Sequence, residues 1–171
     1  MNKTNYIVAT IRPWNIKVFN EKIKSYPGNW HLISEKDDLN TDIIKKLKPR
    51  YIFFPHWSYT VPKEILDMSE CVCFHETDLP YGRGGSPIQN LIKHGHKETV
   101  ITALQMVEEL DAGSIYYKRK LSLEGLAEEI YNRAAKVVAE IIKDIITEQP
   151  NPKKQVGEAL VFKRRKPHQS K

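Results

Sequence analysis

The sequence predicts an α/β fold, a mostly parallel sheet flanked by helices. Short apolar runs rich in β-branched and aromatic residues (YIVATI, HLIS, YIFF, CVCFH) alternate with segments of helical periodicity. Proline and glycine stand at the boundaries between them. At 171 residues, 40% hydrophobic and 28% charged, the chain can bury one real core and has a globular composition.

The elements follow in order. YIVATI (6–11) reads as a first strand, and Pro13 sits where a helix would begin. Trp14, Val18, Phe19 and Ile23 give the segment up to Lys24 a helical spacing. HLIS (31–34) is a second strand, and Ile43, Ile44 and Leu47 mark a helix over 41–48 that Pro49 stops. YIFF (51–54) is a third strand, a turn or helix follows around Pro62–Leu66, and CVCFH (71–75) is a fourth strand. SPIQNLIKHG (86–95) is a helix ending on Gly95. ETVITALQMV (98–107) and SIYYKRKL (114–121) are strands. Leu123, Leu126, Ile130, Ala134, Val137, Ile141 and Ile145 draw one apolar stripe along a helix over 123–147. LVF (160–162) suggests a last short strand, so residues 1–150 are expected to form a catalytic domain and 151–171 a basic tail.

Several function classes recede at once. The start, MNKTNYIVAT, has no long apolar stretch, and no later run reaches the ~18 apolar residues of a spanning helix. Cys71 and Cys73, the two cysteines, lie on one strand and cannot readily bridge. A soluble cytoplasmic protein is therefore expected. The net charge is +6, and residues 151–171 hold seven Lys or Arg against one Glu, which accounts for it. An excess confined to a tail reads as a solvated terminus rather than a nucleic-acid face, so nucleic acid is not the expected ligand.

Ligand sites in such sheets lie outside the carboxyl ends of the strands. His75 falls there on the fourth strand, and the RPWN and WSY loops fall there on the first and third. The loop after His75, with Pro80, Gly82, Gly84 and Gly85, allows backbone N–H groups to approach a ligand, although it lacks the G-x-x-x-x-G-K-[ST] of a P-loop. Asp111, in EELDAGSI, suits an Asp-x-Gly turn; paired with His75 it would fix the imidazole's tautomer and stabilise its charged form. His94 and His96 have no third ligand at recognisable spacing, and no metal is expected.

The stretch CVCFHETDLPYGRGGSPIQNLIKHGHKETVITALQMVEELDAGSIYY resembles the core of the folate-dependent formyltransferases. Their pattern is Asn-x-His at a strand's end, a Leu-Pro turn, an Arg-Gly-rich loop, Pro-Ile, a Thr-rich strand and Leu-Asp-x-Gly. His75, Leu79, Pro80, Arg83, Gly84, Pro87, Ile88, Thr102, Leu110, Asp111 and Gly113 all match it. The resemblance implies a Rossmann-like formyltransferase fold with a shortened N-terminal half, N10-formyltetrahydrofolate as formyl donor, and His75 and Asp111 as catalytic residues. It implies a folate site made from Trp57, Ser58, Tyr59 and Val61, closed by the backbone of Glu108, Glu109 and Leu110. Cys73 stands where the family has an asparagine that donates to the oxyanion. Thr77, Asn90 or a backbone N–H would then have to supply that bond, and a Cys73 nucleophile is the alternative.

The compact size resembles the short sugar N-formyltransferases of pseudaminic-acid-type pathways and the formylation domain of non-ribosomal peptide synthetases. A nucleotide-activated 4-amino-4,6-dideoxy sugar is therefore the expected acceptor, with Arg12, Trp14 and Arg83 meeting its base and phosphates. Trp14 packed under the first helix is the competing reading. The alternatives are an aminoacyl group on tRNA or a carrier protein, and a weakened folate-binding protein. A homodimer is compatible with the sequence.

Overall fold

The computed structural model describes residues 3–164. Strands β1 (Asn5–Ala9), β2 (Asn29–Ile33), β3 (Tyr51–Phe54), β4 (Glu70–His75), β6 (Glu98–Gln105) and β7 (Ile115–Ser122) form one sheet in the order β2-β1-β3-β4-β6-β7. The first four are parallel; β6 runs antiparallel to β4, and β7 antiparallel to β6. The sheet is thus mostly parallel and helix-flanked, as the sequence predicts. Its edge is antiparallel because β6 starts at the end of the sheet where β4 finishes, without a crossover, and the β6–β7 hairpin then reverses the chain again. A second sheet pairs β5 (Tyr81–Gly84) with β8 (Leu160–Phe162). β5 is not among the expected strands, because three of the five residues in the YGRGG run are glycines, which strands normally avoid.

Alternate strand residues face opposite layers. Tyr6, Val8, Phe53, Val72 and Phe74 pack under α1 (Pro13–Glu21), α4 (Pro87–Lys93) and α5 (Ala127–Glu148). Ile7, Ala9, Ile52, Phe54 and Cys71 pack against α2 (Thr41–Leu47) and α3 (Lys63–Met68). Helix α5 buries Ile130, Ala134, Val138, Ile141 and Ile145. It starts at Ala127, later than its stripe predicts: Gly125 has φ of +97°, and Leu126, expected on the stripe, is 74% exposed. The Glu129 carboxylate accepts the Leu126 N–H at 3.0 Å and fixes that start. Helix α2 is capped by Asn40, whose side chain accepts the Ile43 N–H.

Among the described residues no helix is long and apolar enough to cross a membrane. The tail is not a loose terminus as far as residue 164. Lys153 exchanges both backbone hydrogen bonds with Ile115, and β8 adds to β5. Residues 165–171, the rest of the expected basic tail, lie outside the described residues.

Candidate active site

The carboxyl ends of β1, β3 and β4 open on one side of the sheet, and their loops meet there. Two cavities share Trp57, Ser58, Leu110 and Arg164 as walls. The inner one, about 310 Å³, adds Arg12, His56, His75, Glu76, Asp111 and Tyr131 among others. The outer one, about 600 Å³, is lined by Tyr59, Val61, Leu66, Met106 and Glu108.

His75 is the last residue of β4 and is buried. The backbone just beyond it is pinned by β6: Thr99 and Thr102 donate their hydroxyls to the carbonyls of Glu76 and Thr77, at 3.1 and 2.7 Å. His75 Nε2 lies 2.7 Å from the Gly82 carbonyl. A carbonyl only accepts, so that nitrogen carries a proton and Nδ1 holds the lone pair. Nδ1 faces Asp111 Oδ1 across 3.7 Å. The tautomer is therefore set by Gly82, and the expected role of Asp111 narrows to stabilising the imidazolium once Nδ1 is protonated.

Asp111 arrives from the excursion between β6 and β7. That loop closes where Gln105 N–H donates to Ser114 O at 2.8 Å, and a Cβ at Gly113 would sit 1.6 Å from the Gln105 carbonyl oxygen. Asp111 itself has φ of +55°, which aspartate tolerates in turns. Asp111 thus sits in the expected turn and also faces His75. Asp111 Oδ2 accepts the Gly84 N–H at 2.8 Å. Gln155 then secures the loop: its Nε2 donates to the carbonyls of Asp111 (2.7 Å) and Gly113 (2.9 Å). Its Oε1 accepts from Arg83 Nε and Nη2, at 3.2 and 2.8 Å. Arg83 thus grips the tail and does not line either cavity.

The other expected residues divide similarly. Trp57, Ser58, Tyr59, Val61, Glu108 and Leu110 line the outer cavity together; Glu109 does not. Thr77 Oγ donates to Gly82 O, and Asn90 Nδ2 donates to the carbonyls of Gly85, Ser86 and Lys163. Both side chains serve the backbone, off the cavities. Arg12 is exposed at the inner cavity's rim. Trp14 is partly buried and stacks on Tyr131 with centroids 4.7 Å apart, so it is neither deep core nor a free face. Cys73 packs on the α2/α3 side of the sheet. Burial, then the Asp111 charge, pushes its thiol well above the usual range, so it is not a ready nucleophile. His94 stacks on Phe162, and His96 meets the Tyr81 hydroxyl at 3.0 Å. Among the described residues no three metal-ligating side chains gather.

Sequence reasoning missed His56 and Glu76. His56, with φ of +57°, follows β3 as His75 ends β4, and the same carboxyl-end rule could have found it. Its Nδ1 accepts from Asn15 Nδ2 at 2.9 Å and, at a longer 3.4 Å, from Trp14 Nε1; its Nε2 meets Glu76 Oε1. Burial alone would raise the Glu76 carboxyl, but His56 and His75 together hold it below the usual carboxylate range. Gln155 gave no sequence signal at all.

A family model described as formyl transferase matches residues 15–146. Methionyl-tRNA formyltransferase of Campylobacter lari is 35% identical over 153 residues, 86% of this chain and 46% of its own length. The chain thus spans less than half of that curated relative. A solved methionyl-tRNA formyltransferase from Clostridium thermocellum superposes with a TM-score of 0.90 at 48% identity, covering 97% of this chain and 74% of that one. HypX from Aquifex aeolicus in complex with tetrahydrofolic acid shares the fold, with a TM-score of 0.77 at 17% identity over 96% of this chain and 30% of its own.

These similarities overturn the nucleotide-sugar expectation for the acceptor, and with it the exclusion of nucleic acid as a partner. The error has a physical source. The sugar expectation rests on compact size, and chain length carries no information about the acceptor.

Proposed function

The chain belongs to the formyl transferase family, and from that premise we propose that it transfers a formyl group from N10-formyltetrahydrofolate to the α-amine of an aminoacyl-tRNA, methionyl-tRNA foremost. The observation that carries the transfer chemistry is the position of His75 Nδ1. Its lone pair faces the largely buried Asp111 carboxylate in the inner cavity, which joins an outer cavity through shared walls.

The outer cavity suits the donor. Trp57 and Tyr59 meet edge to face, and with Val61, Leu66 and Met106 they make apolar walls for a flat bicyclic ring. In the inner cavity, His75 Nδ1 takes the proton that the attacking amine sheds, and the new N–H⁺ faces Asp111. The proton then passes to N10 as its bond to the formyl carbon breaks. Imidazole suits this task because one ring nitrogen can take up a proton and give it back within a single turnover. Asp111 makes the charged form affordable in a site where both side chains are about 10% exposed.

The test is direct: purified protein, formyl donor and a panel of aminoacyl-tRNAs, with formylated product measured. Formylmethionyl-tRNA formation is expected. A panel with no formylated product would sink the reading.

A further inference from the structure

His56 and Glu76 form a second imidazole–carboxylate pair on the inner cavity wall, and the transfer described above gives it no task. His56 Nδ1 is an acceptor, so Nε2 carries the ring proton and donates it to Glu76 Oε1. Only 7% of the Glu76 side chain is exposed, and it borders the cavity beside His75. The groups facing it are His56, His75 and Tyr131, whose phenol is raised by burial and then by the Glu76 charge. Asp111 lines the same cavity. The cavity's cations, Arg12 and Arg164, are exposed residues. Its inner wall thus holds two carboxylates and two imidazoles, which favours a guest that is positively charged or becomes so.

A purely structural role explains this less well. Burying an ion pair costs about as much as it returns, and well-packed apolar groups would tie the three loops as firmly. We propose that Glu76 is the seat of the acceptor's primary amine, its carboxylate accepting the amine's N–H bonds and holding the nitrogen beside His75, with His56 fixing the carboxylate. The proposal rests on the formyl-transfer reading of the cavity. As the amine nitrogen bonds to the formyl carbon it gains positive charge, which the carboxylate attracts more strongly than it attracts the neutral amine. One N–H proton leaves to His75 Nδ1 and goes on to N10, so amine plus N10-formyl donor yields formamide plus N10–H donor.

Binding without turnover tests this. L-methionine methyl ester, at a pH where it is cationic, and its hydroxy counterpart lacking the amine are titrated calorimetrically into the protein. The amine ester is expected to bind at least about tenfold tighter, a difference of about 1.4 kcal/mol. Glu76→Gln should abolish the difference and leave tetrahydrofolate affinity unchanged. No preference in the wild type, or the same preference in Glu76→Gln, overturns the proposal. Should that variant not fold, the ¹⁵N shifts of the His56 ring in the wild type decide. They must move with the amine ester and stay with the hydroxy ester, and an unmoved ring refutes the amine seat. Because no formyl transfer is needed, failure of methionyl-tRNA as a substrate would be seen separately.

Discussion

At the residue scale, the site separates orientation from charge stabilisation. Gly82 sets the His75 tautomer, and in the proposed reaction Asp111 stands 3.7 Å from the nitrogen that takes the proton. Asp111→Asn can still accept the Gly84 N–H but cannot neutralise an imidazolium. It is expected to lower kcat by about 10²-fold or more and to leave the donor's KM near its wild-type value. Unchanged turnover would remove Asp111 from the mechanism. Cys73 separates two chemistries in the same way. Its thiol stays protonated at neutral pH, so Cys73→Ser should keep turnover within several-fold, and a Cys73→Asn amide should raise kcat by up to about 10²-fold if the oxyanion lacks a strong donor. Complete loss in Cys73→Ser would point instead to a covalent intermediate. Glu76 is read through pH. Its folded pKa lies below the unfolded value of about 4.3, so its stabilisation is complete above that value and is lost as pH falls through the folded one. Urea unfolding between about pH 3 and 5 should therefore show a shallower acid decline for Glu76→Gln than for the wild type.

At the element scale, the loop that brings Asp111 is held from outside the main sheet. Gln155 joins Arg83 of β5 to the carbonyls of Asp111 and Gly113, while β8 pairs with β5 a few residues later. The tail is thus a strap across the site. Gln155→Glu keeps the acceptor that Arg83 needs but loses both donated bonds, leaving two part-buried carbonyls unpaired at about 1–3 kcal/mol each. The expected result is a fall in kcat of tenfold or more in a protein that still folds, with donor KM little changed. Equal loss in kcat and in melting temperature for both Gln155→Glu and Gln155→Leu would mean a structural tie only. This strap was invisible in the sequence, because a glutamine in NPKKQVGEAL has no periodicity and its partners lie 42, 44 and 72 residues away. By contrast, the strands β1, β3 and β4 were legible, since each carries an apolar run, Tyr6–Ala9, Tyr51–Phe54 and Cys71–Phe74, that is largely buried on both faces.

At the scale of the molecule, what the sequence left obscure is the reach of its charge. Apolar alternation specified two packed faces, and the carboxyl-end rule found the side on which the site opens. Neither says what approaches it. The charge excess read as a free tail is partly brought back to the site, since Arg164 borders both cavities. A further surface hollow of about 230 Å³ on α1 and α5 gathers Lys17, Lys22 and Lys136 around Trp14, with Glu21 as its one acidic member. Trp14 stacks on Tyr131 of the inner cavity wall, so this basic surface adjoins the site. A polyanionic acceptor would release counterions there, whereas the folate donor would release few. The KM for methionyl-tRNA is therefore expected to rise steeply between about 50 and 200 mM salt, and the donor's KM to stay nearly flat. Lys17→Ala with Lys136→Ala should cut the logarithmic salt slope by about two, near one for each lost phosphate contact. These exposed lysines pack nothing in the core, so the melting temperature should not change. A slope unchanged in the double variant would place the tRNA backbone on another face of the domain.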